Sequence, residues 1–144
     1  MEEAVIIPHL TFDGNCEEAI STYINAFGGQ VLYLSRWSEE TFDKTKEQVG
    51  KVMHAEFLLG QTRMAASDGF DEDGVHSRIK LMVHMDSMQE AQHAVELLAQ
   101  GGEVLSALKP HPAPDDGGCG SVTRDRFGYT WIITCPNPMK KTSA

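Results

Sequence analysis

One segment of the chain is written twice. Residues 10–32 read LTFDGNCEEAISTYINAFGGQVL, and residues 82–105 read MVHMDSMQEAQHAVELLAQGGEVL. Each copy runs from a strand end through a polar turn into a helix with a Glu-Ala pair (Glu18-Ala19 and Glu90-Ala91). Each then closes on Gly-Gly-x-Val-Leu, at Gly28-Gly29-Gln30-Val31-Leu32 and at Gly101-Gly102-Glu103-Val104-Leu105. A repeat of this kind constrains the fold more than any composition figure. It demands two equivalent strand–helix–strand units and predicts that function lies between them.

Period and turn chemistry extend each copy to βαβββ. In the first half, residues 4–12 alternate as a strand. Val5, Ile7 and His9 fall on one face, and Ile6, Leu10 and Phe12 lie mostly on the other. Pro8 lacks an N–H and suits an edge or an interrupted ladder. Asn15 is the expected helix cap, with Glu18 completing a capping box. Cys16, Ala19, Ile20, Tyr23, Ile24 and Phe27 form the buried stripe, and Gly28-Gly29 stop the helix in a left-handed turn. Residues 30–37 form the next strand and 38–50 a polar connection. In the strand at 51–59, Met53, Ala55, Phe57 and Leu59 share one face, and Val52, His54, Glu56 and Leu58 the other. Gly60-Gln61 turns the chain into a partner strand at 62–67, and residues 68–76 read as an acidic linker.

The second half follows the same order. A strand at 77–85 carries Lys80, Met82 and His84 on one face. Ser87 and Glu90 form a capping box, and Met88, Ala91, Val95 and Leu98 form the stripe, supported by Ala94. After Gly101-Gly102 come a strand at 103–108, a proline-rich loop at 109–118 and a hairpin at 119–126 and 129–135. The tail from Pro136 is expected to fray. The expected fold is α+β, one domain built of two βαβββ modules at 4–68 and 77–136, whose open sheet faces cup a shared cavity.

Charge narrows the partners. The net charge is −9 and the pI about 5.0, which argues against nucleic acid and against an anionic membrane surface. No stretch approaches transmembrane length. Met1-Glu2-Glu3 is acidic where a signal peptide would be basic. The three cysteines, Cys16, Cys119 and Cys135, share no C-x-x-C spacing. They read as free thiols in a reducing, cytoplasmic compartment, with Cys16 and Cys135 as buried filler.

This order of elements, with these particular words, resembles the vicinal oxygen chelate superfamily (glyoxalase I, bleomycin-resistance proteins, extradiol dioxygenases), and within it the PhnB-like branch. The residues that carry the resemblance begin with Pro8-His9-Leu10-Thr11-Phe12-Asp13-Gly14-Asn15-Cys16-Glu17-Glu18-Ala19 and Ala26-Phe27-Gly28-Gly29. They continue with Lys51-Val52-Met53-His54-Ala55-Glu56, Ser67-Asp68, Gly101-Gly102, Val122-Thr123-Arg124-Asp125 and Phe127-Gly128-Tyr129-Thr130-Trp131. The resemblance implies paired βαβββ modules forming a cup, usually as a homodimer. It leaves the chemistry open, because the superfamily includes metal enzymes and metal-free binders alike. PhnB-like proteins are sometimes labelled ubiquinone-related methyltransferases, yet no G-x-G-x-x-G loop follows a strand here.

Metal-dependent relatives hold a divalent ion with His, Glu or Gln. The resemblance places those positions at Ile7, His54, Lys80 and Ile132, of which only His54 is a ligand type; isoleucine has no donor and a lysine repels a cation. A displaced set of His9, His54, Glu56 and His84 would suit zinc, nickel or iron. The plainer reading makes these residues the polar wall of a ligand cup. We therefore expect a small-molecule binder with no cofactor. His9, His54, Lys80, His84, Trp37 and Arg124 are the expected contacts, and Glu56 the residue placed for acid–base work. The alternative is a metal-dependent lyase, isomerase or dioxygenase using the displaced set. Arg63, Arg124 and Arg126 either clamp an anion or pair with neighbouring strand charges. Trp131 and Phe42 are pocket or core residues, core being favoured for Trp131. His93 and His76 read as solvated, and His111 sits in a loop that folds over the cavity mouth. Asp68, Asp71, Glu72 and Asp73 do not follow calcium-loop spacing and read as solvated linker.

Overall fold

A computed structural model describes residues 5–38, 47–69 and 79–140. The chain divides into two compact units, Met1–Gly74 and Val75–Ala144. The first contains β1 (His9–Phe12), α1 (Cys16–Phe27), β2 (Gly29–Arg36), β3 (Val52–Leu59) and β4 (Thr62–Asp68). The second contains β5 (Leu81–His84), α2 (Met88–Ala99), β6 (Glu103–Pro110), β7 (Gly118–Arg124) and β8 (Thr130–Pro136). The sheets have matching orders, β1-β4-β3-β2 and β5-β8-β7-β6. In each, the first and last strands pair in parallel and the other pairs are antiparallel. Both units are therefore βαβββ, as the repeat requires.

Each helix covers one face of its own sheet. α1 buries Cys16, Ala19, Ile20, Tyr23 and Ala26, against Leu10 and Phe12 of β1 and Ala55, Phe57 and Leu59 of β3. Ala26 takes a place expected of Ile24 and Phe27, which are only partly covered. α2 buries Ala91, Ala94, Val95 and Leu98. Fully burying a side chain the size of Leu98 or Phe57 contributes about 1.5–3 kcal/mol, so these two cores dominate the stability of their units.

Several expectations are corrected by local physics. β1 starts only at His9, because Pro8 cannot donate; its carbonyl still accepts from Ala65 N at 2.9 Å. β6 runs to Pro110, two residues into the expected loop. In β3, Val52 is buried and Met53 exposed, the reverse of strict alternation. The register steps from Ser35↔His54 to Arg36↔Val52, which leaves Met53 as an extra residue. Such a bulge shifts every side chain beyond it to the other face. The same kind of register step recurs at Leu32 and at Leu105, the last residue of each Gly-Gly-x-Val-Leu copy.

The helix starts differ from each other. Ser87 Oγ accepts from Glu90 N at 3.1 Å, the expected cap. Asn15 makes no side-chain cap bond. Asp68 does the work instead: its Oδ1 accepts from Gly14 N at 2.8 Å and Cys16 N at 3.0 Å, and its Oδ2 from Val52 N at 2.9 Å. Asp68 is 1% exposed and ends β4, so it is not solvated linker. Phe42, Asp71, Glu72, Asp73 and His76 lie outside the described residues.

Cys16 sits beneath this carboxylate. Burial, then the charges of Asp68 and Glu17, push its thiol up to about 12 from an ordinary 9.0. A thiol with a raised folded pKa stabilises fully below the unfolded value, and that stability is lost as pH rises through the folded one. Urea midpoints are therefore expected to fall between pH 9.0 and about 12, with a shallower fall in Cys16→Ala. In the native protein at mildly alkaline pH, Cys16 should resist alkylation until the chain unfolds.

Candidate functional site

The face of the first sheet opposite α1 brings three expected site residues together. Leu10 and Phe12 turn toward the helix, so His9 and Thr11 turn outward. Across the sheet, His9 lies opposite Ala65, Ala65 opposite Glu56, and Glu56 opposite Tyr33. The His9 and His54 rings are 6.4 Å apart at 16°, and Tyr33 lies 6.2 Å from His54. His9 Nε2 is 3.4 Å from Ser67 Oγ. Arg63 Nη2 donates to Glu56 Oε1 at 2.6 Å, while Glu56 Oε2 stands 3.9 Å from His54 Nε2.

This polar face is a poor fit for a resident metal ion. Among the described residues, no group of three His, Cys, Asp or Glu side chains is placed to hold one. Glu56 already accepts a charge-assisted bond from Arg63, whose guanidinium would repel an arriving cation. Of the positions that the resemblance assigns, Ile7 and Lys80 precede β1 and β5, Ile132 lies on β8, and His54 lies on β3.

The remaining expected residues belong elsewhere. Trp37 follows β2, and its indole N–H donates to the Asp68 carbonyl at 3.3 Å. In the second unit, His84 Nδ1 lies 3.0 Å from Thr134 Oγ1. Lys80 is exposed just before β5. Arg124 Nη1 stands 4.0 Å from Glu103 Oε2 on the neighbouring strand, and the Arg126 guanidinium, in the β7–β8 turn, lies 4.5 Å from the Phe127 ring centre. His111 lies flat on β7. A Cβ added at Gly120 would come within 2.5 Å of its Cε1.

Two buried aspartates carry more than the sequence reading gave them. Asp68 is one. Asp125 is the other, accepting from Phe127 N at 2.9 Å, Tyr129 N at 3.0 Å and the Trp131 indole at 2.8 Å. It shapes the β7–β8 turn and satisfies Trp131, which is core. Carrying the alternation Met64, Ala66 one step of two residues further would have turned Asp68 inward. A cleft of about 550 Å³, lined by Gly14, Asn15, Glu17, Lys51 and Asp68 among others, holds none of the expected site residues.

The family model described as 3-demethylubiquinone-9 3-methyltransferase matches residues 4–134. The chain belongs to this family. It is a PhnB-like member of the vicinal oxygen chelate superfamily. Protein YjdN of Escherichia coli (strain K12) is 26% identical over 137 residues, covering 88% of this chain and 91% of that protein. A PhnB protein from Bacillus cereus has a TM-score of 0.79 at 25% identity, covering 92% of this chain and 99% of that one. A glyoxylase/bleomycin resistance protein/dioxygenase domain from Frankia sp. EAN1pec shares the fold, with a TM-score of 0.62 at 16% identity over 95% of this chain and all of that one.

The family's description names a methyl transfer, and in this PhnB-like chain some of the helix-start amides that a nucleotide-bearing methyl donor would use are already engaged. Such groups are held on free amides that open a helix after a glycine-rich turn. Here the Gly14 and Cys16 amides are given to Asp68, and the Glu90 amide to Ser87.

Proposed function

We propose that this PhnB-like protein binds a small polar molecule on the open face of its first sheet, without a metal, in a sequestering or resistance-type role. The observation that carries this reading is the Arg63–Glu56 pair beside His54 and His9. It offers a ligand an imidazole pair, a tyrosine and a neutralised carboxylate, and it offers a cation little. The protein acts as a cytoplasmic homodimer. Support comes from the three free thiols and from the exposed apolar residues Val31, Leu32 and Tyr33 on edge strand β2 and Val104 and Leu105 on edge strand β6.

Protein prepared without chelator or nickel affinity is expected to bind none of zinc, nickel, iron or manganese stoichiometrically. Arg63→Met, which releases Glu56, should gain zinc affinity. A small-molecule thermal-shift screen should give shifts that are lost in His54→Ala. Stoichiometric metal binding by the unaltered chain, abolished in His54→Ala, would overturn the reading. That result would favour a metal-dependent lyase, isomerase or dioxygenase with Glu56 as the base.

A further inference from the structure

The two cysteines of the second unit are far apart in sequence but direct partners in the sheet. Cys119 of β7 lies opposite Cys135 of β8 in an unbroken register. Both face the core, at 0% and 1% exposure. Burial first, and then the neighbouring Cys119 thiol, hold the Cys135 thiol above its ordinary range.

The kind of pair they form follows from the ladder. Asn137 N donates to Gly117 O at 2.9 Å, so those two residues form a hydrogen-bonded pair. Bonded and non-bonded pairs alternate. Gly118–Pro136 is then non-bonded, as a residue with no N–H requires, and Cys119–Cys135 is bonded again. Bonded pairs have Cα atoms about 5.5 Å apart, inside the disulfide range of roughly 4.4–6.8 Å. Their side chains are set wider than in non-bonded pairs, so a bridge here carries strain. Strained bridges are the readily reduced ones.

We propose that Cys119 and Cys135 are a reversible thiol-oxidation site, joined as a cross-strand disulfide by a disulfide oxidant of the glutathione class. The pair stands one residue inside the end of the β7–β8 ladder, so local opening of that end exposes one thiol; as the thiolate it attacks the oxidant's sulfur and expels one thiol. The second thiolate then attacks the resulting mixed disulfide and expels the other. Two protein thiols are oxidised and one small disulfide is reduced to two thiols. The site has a structural consequence: Cys119 lies between Gly118 and Gly120, the two glycines beneath the His111 ring. A bridge therefore fixes the strand end that carries His111.

The test exposes the native full-length chain to oxidised glutathione, blocks remaining thiols under denaturing conditions, and maps the peptides without reductant. The expected product has lost the mass of two hydrogen atoms, links Cys119 to Cys135, keeps Cys16 as a thiol, and reverts with dithiothreitol. Cys16→Ser should give the same bridge, and Cys135→Ser should give none. Three blocked thiols after exposure, a stable glutathione adduct at either position, or a link through Cys16 or between chains would each overturn the proposal.

Discussion

Asp68→Ala is expected to lower unfolding stability by about 3–5 kcal/mol, more than any substitution on the open polar face. The carboxylate accepts from Gly14 N, Cys16 N and Val52 N. Removing it strands three backbone donors, two of them buried, at about 1–3 kcal/mol each where water cannot reach. Gly14 is only part-buried, so its amide regains a solvent partner and the sum falls short of three full penalties. Asp68→Asn should cost less, roughly 2–3 kcal/mol. Its single carbonyl oxygen can keep the helix-start amides, while the new amide group turns donors toward Val52 N. Urea unfolding gives the totals, and hydrogen exchange at Cys16 and Val52 locates the loss. Since a domain's whole stability is about 5–15 kcal/mol, Asp68→Ala should sit near the edge of folding. A loss below about 1 kcal/mol would mean that Asn15 caps α1 in solution and that this carboxylate is dispensable.

Asp68 also marks where sequence reading stopped short. The repeat, the helix stripes and the strand alternation gave both βαβββ units, because they depend on nearest neighbours and on period, which one sequence displays. The grouping of His9, His54 and Glu56 on one face was legible for the same reason: each stands an even number of residues from a core-facing partner's neighbour on its own strand. What was hidden depends on register between strands. Arg63 reaches Glu56 because β4 pairs with β3 in one particular alignment. Nothing local to Arg63 separates that outcome from an anion clamp. Cys119 and Cys135 share no motif spacing, yet the β7–β8 register makes them partners. Asp68 looked like linker because acidic residues and glycines follow it, and its role exists only once the β1–α1 turn and the start of β3 arrive around it. The Met53 bulge was invisible too. It breaks an alternation that the sequence alone shows as unbroken.

The Gly-Gly of each repeat predicts a paired result, because its two glycines have different jobs. The first supplies a backbone angle: Gly28 has φ +80° and Gly101 φ +72°. The second supplies closeness, and in the first unit Gly29 adds a positive φ of +146° to it. A Cβ on Gly29 would lie 1.9 Å from Leu58 O, and one on Gly102 would lie 2.2 Å from Arg124 O. Neither contact can be relieved by rotating a side chain, since the obstacle is the backbone of the neighbouring strand. Gly29→Ala and Gly102→Ala are therefore expected to cost at least about 3 kcal/mol each, by forcing the first strand after the helix away from its partner. Gly28→Ala meets nothing within 4 Å and should cost only the backbone strain, about 1–3 kcal/mol. Gly101→Ala meets Arg126 Cβ and Cδ at 3.2 Å; Cδ can swing aside and Cβ needs only a shift of a few tenths of an ångström, so its cost should also be about 1–3 kcal/mol. Urea midpoints for the four variants should rank the second glycine of each pair as the more sensitive, in both units alike. Equal losses within a pair would mean that backbone angle alone explains the motif. Tolerance at Gly29 but not at Gly102 would mean that the repeated words no longer impose the same geometry on both halves, and that the β2–β3 register differs from the one that brings Tyr33 opposite Glu56.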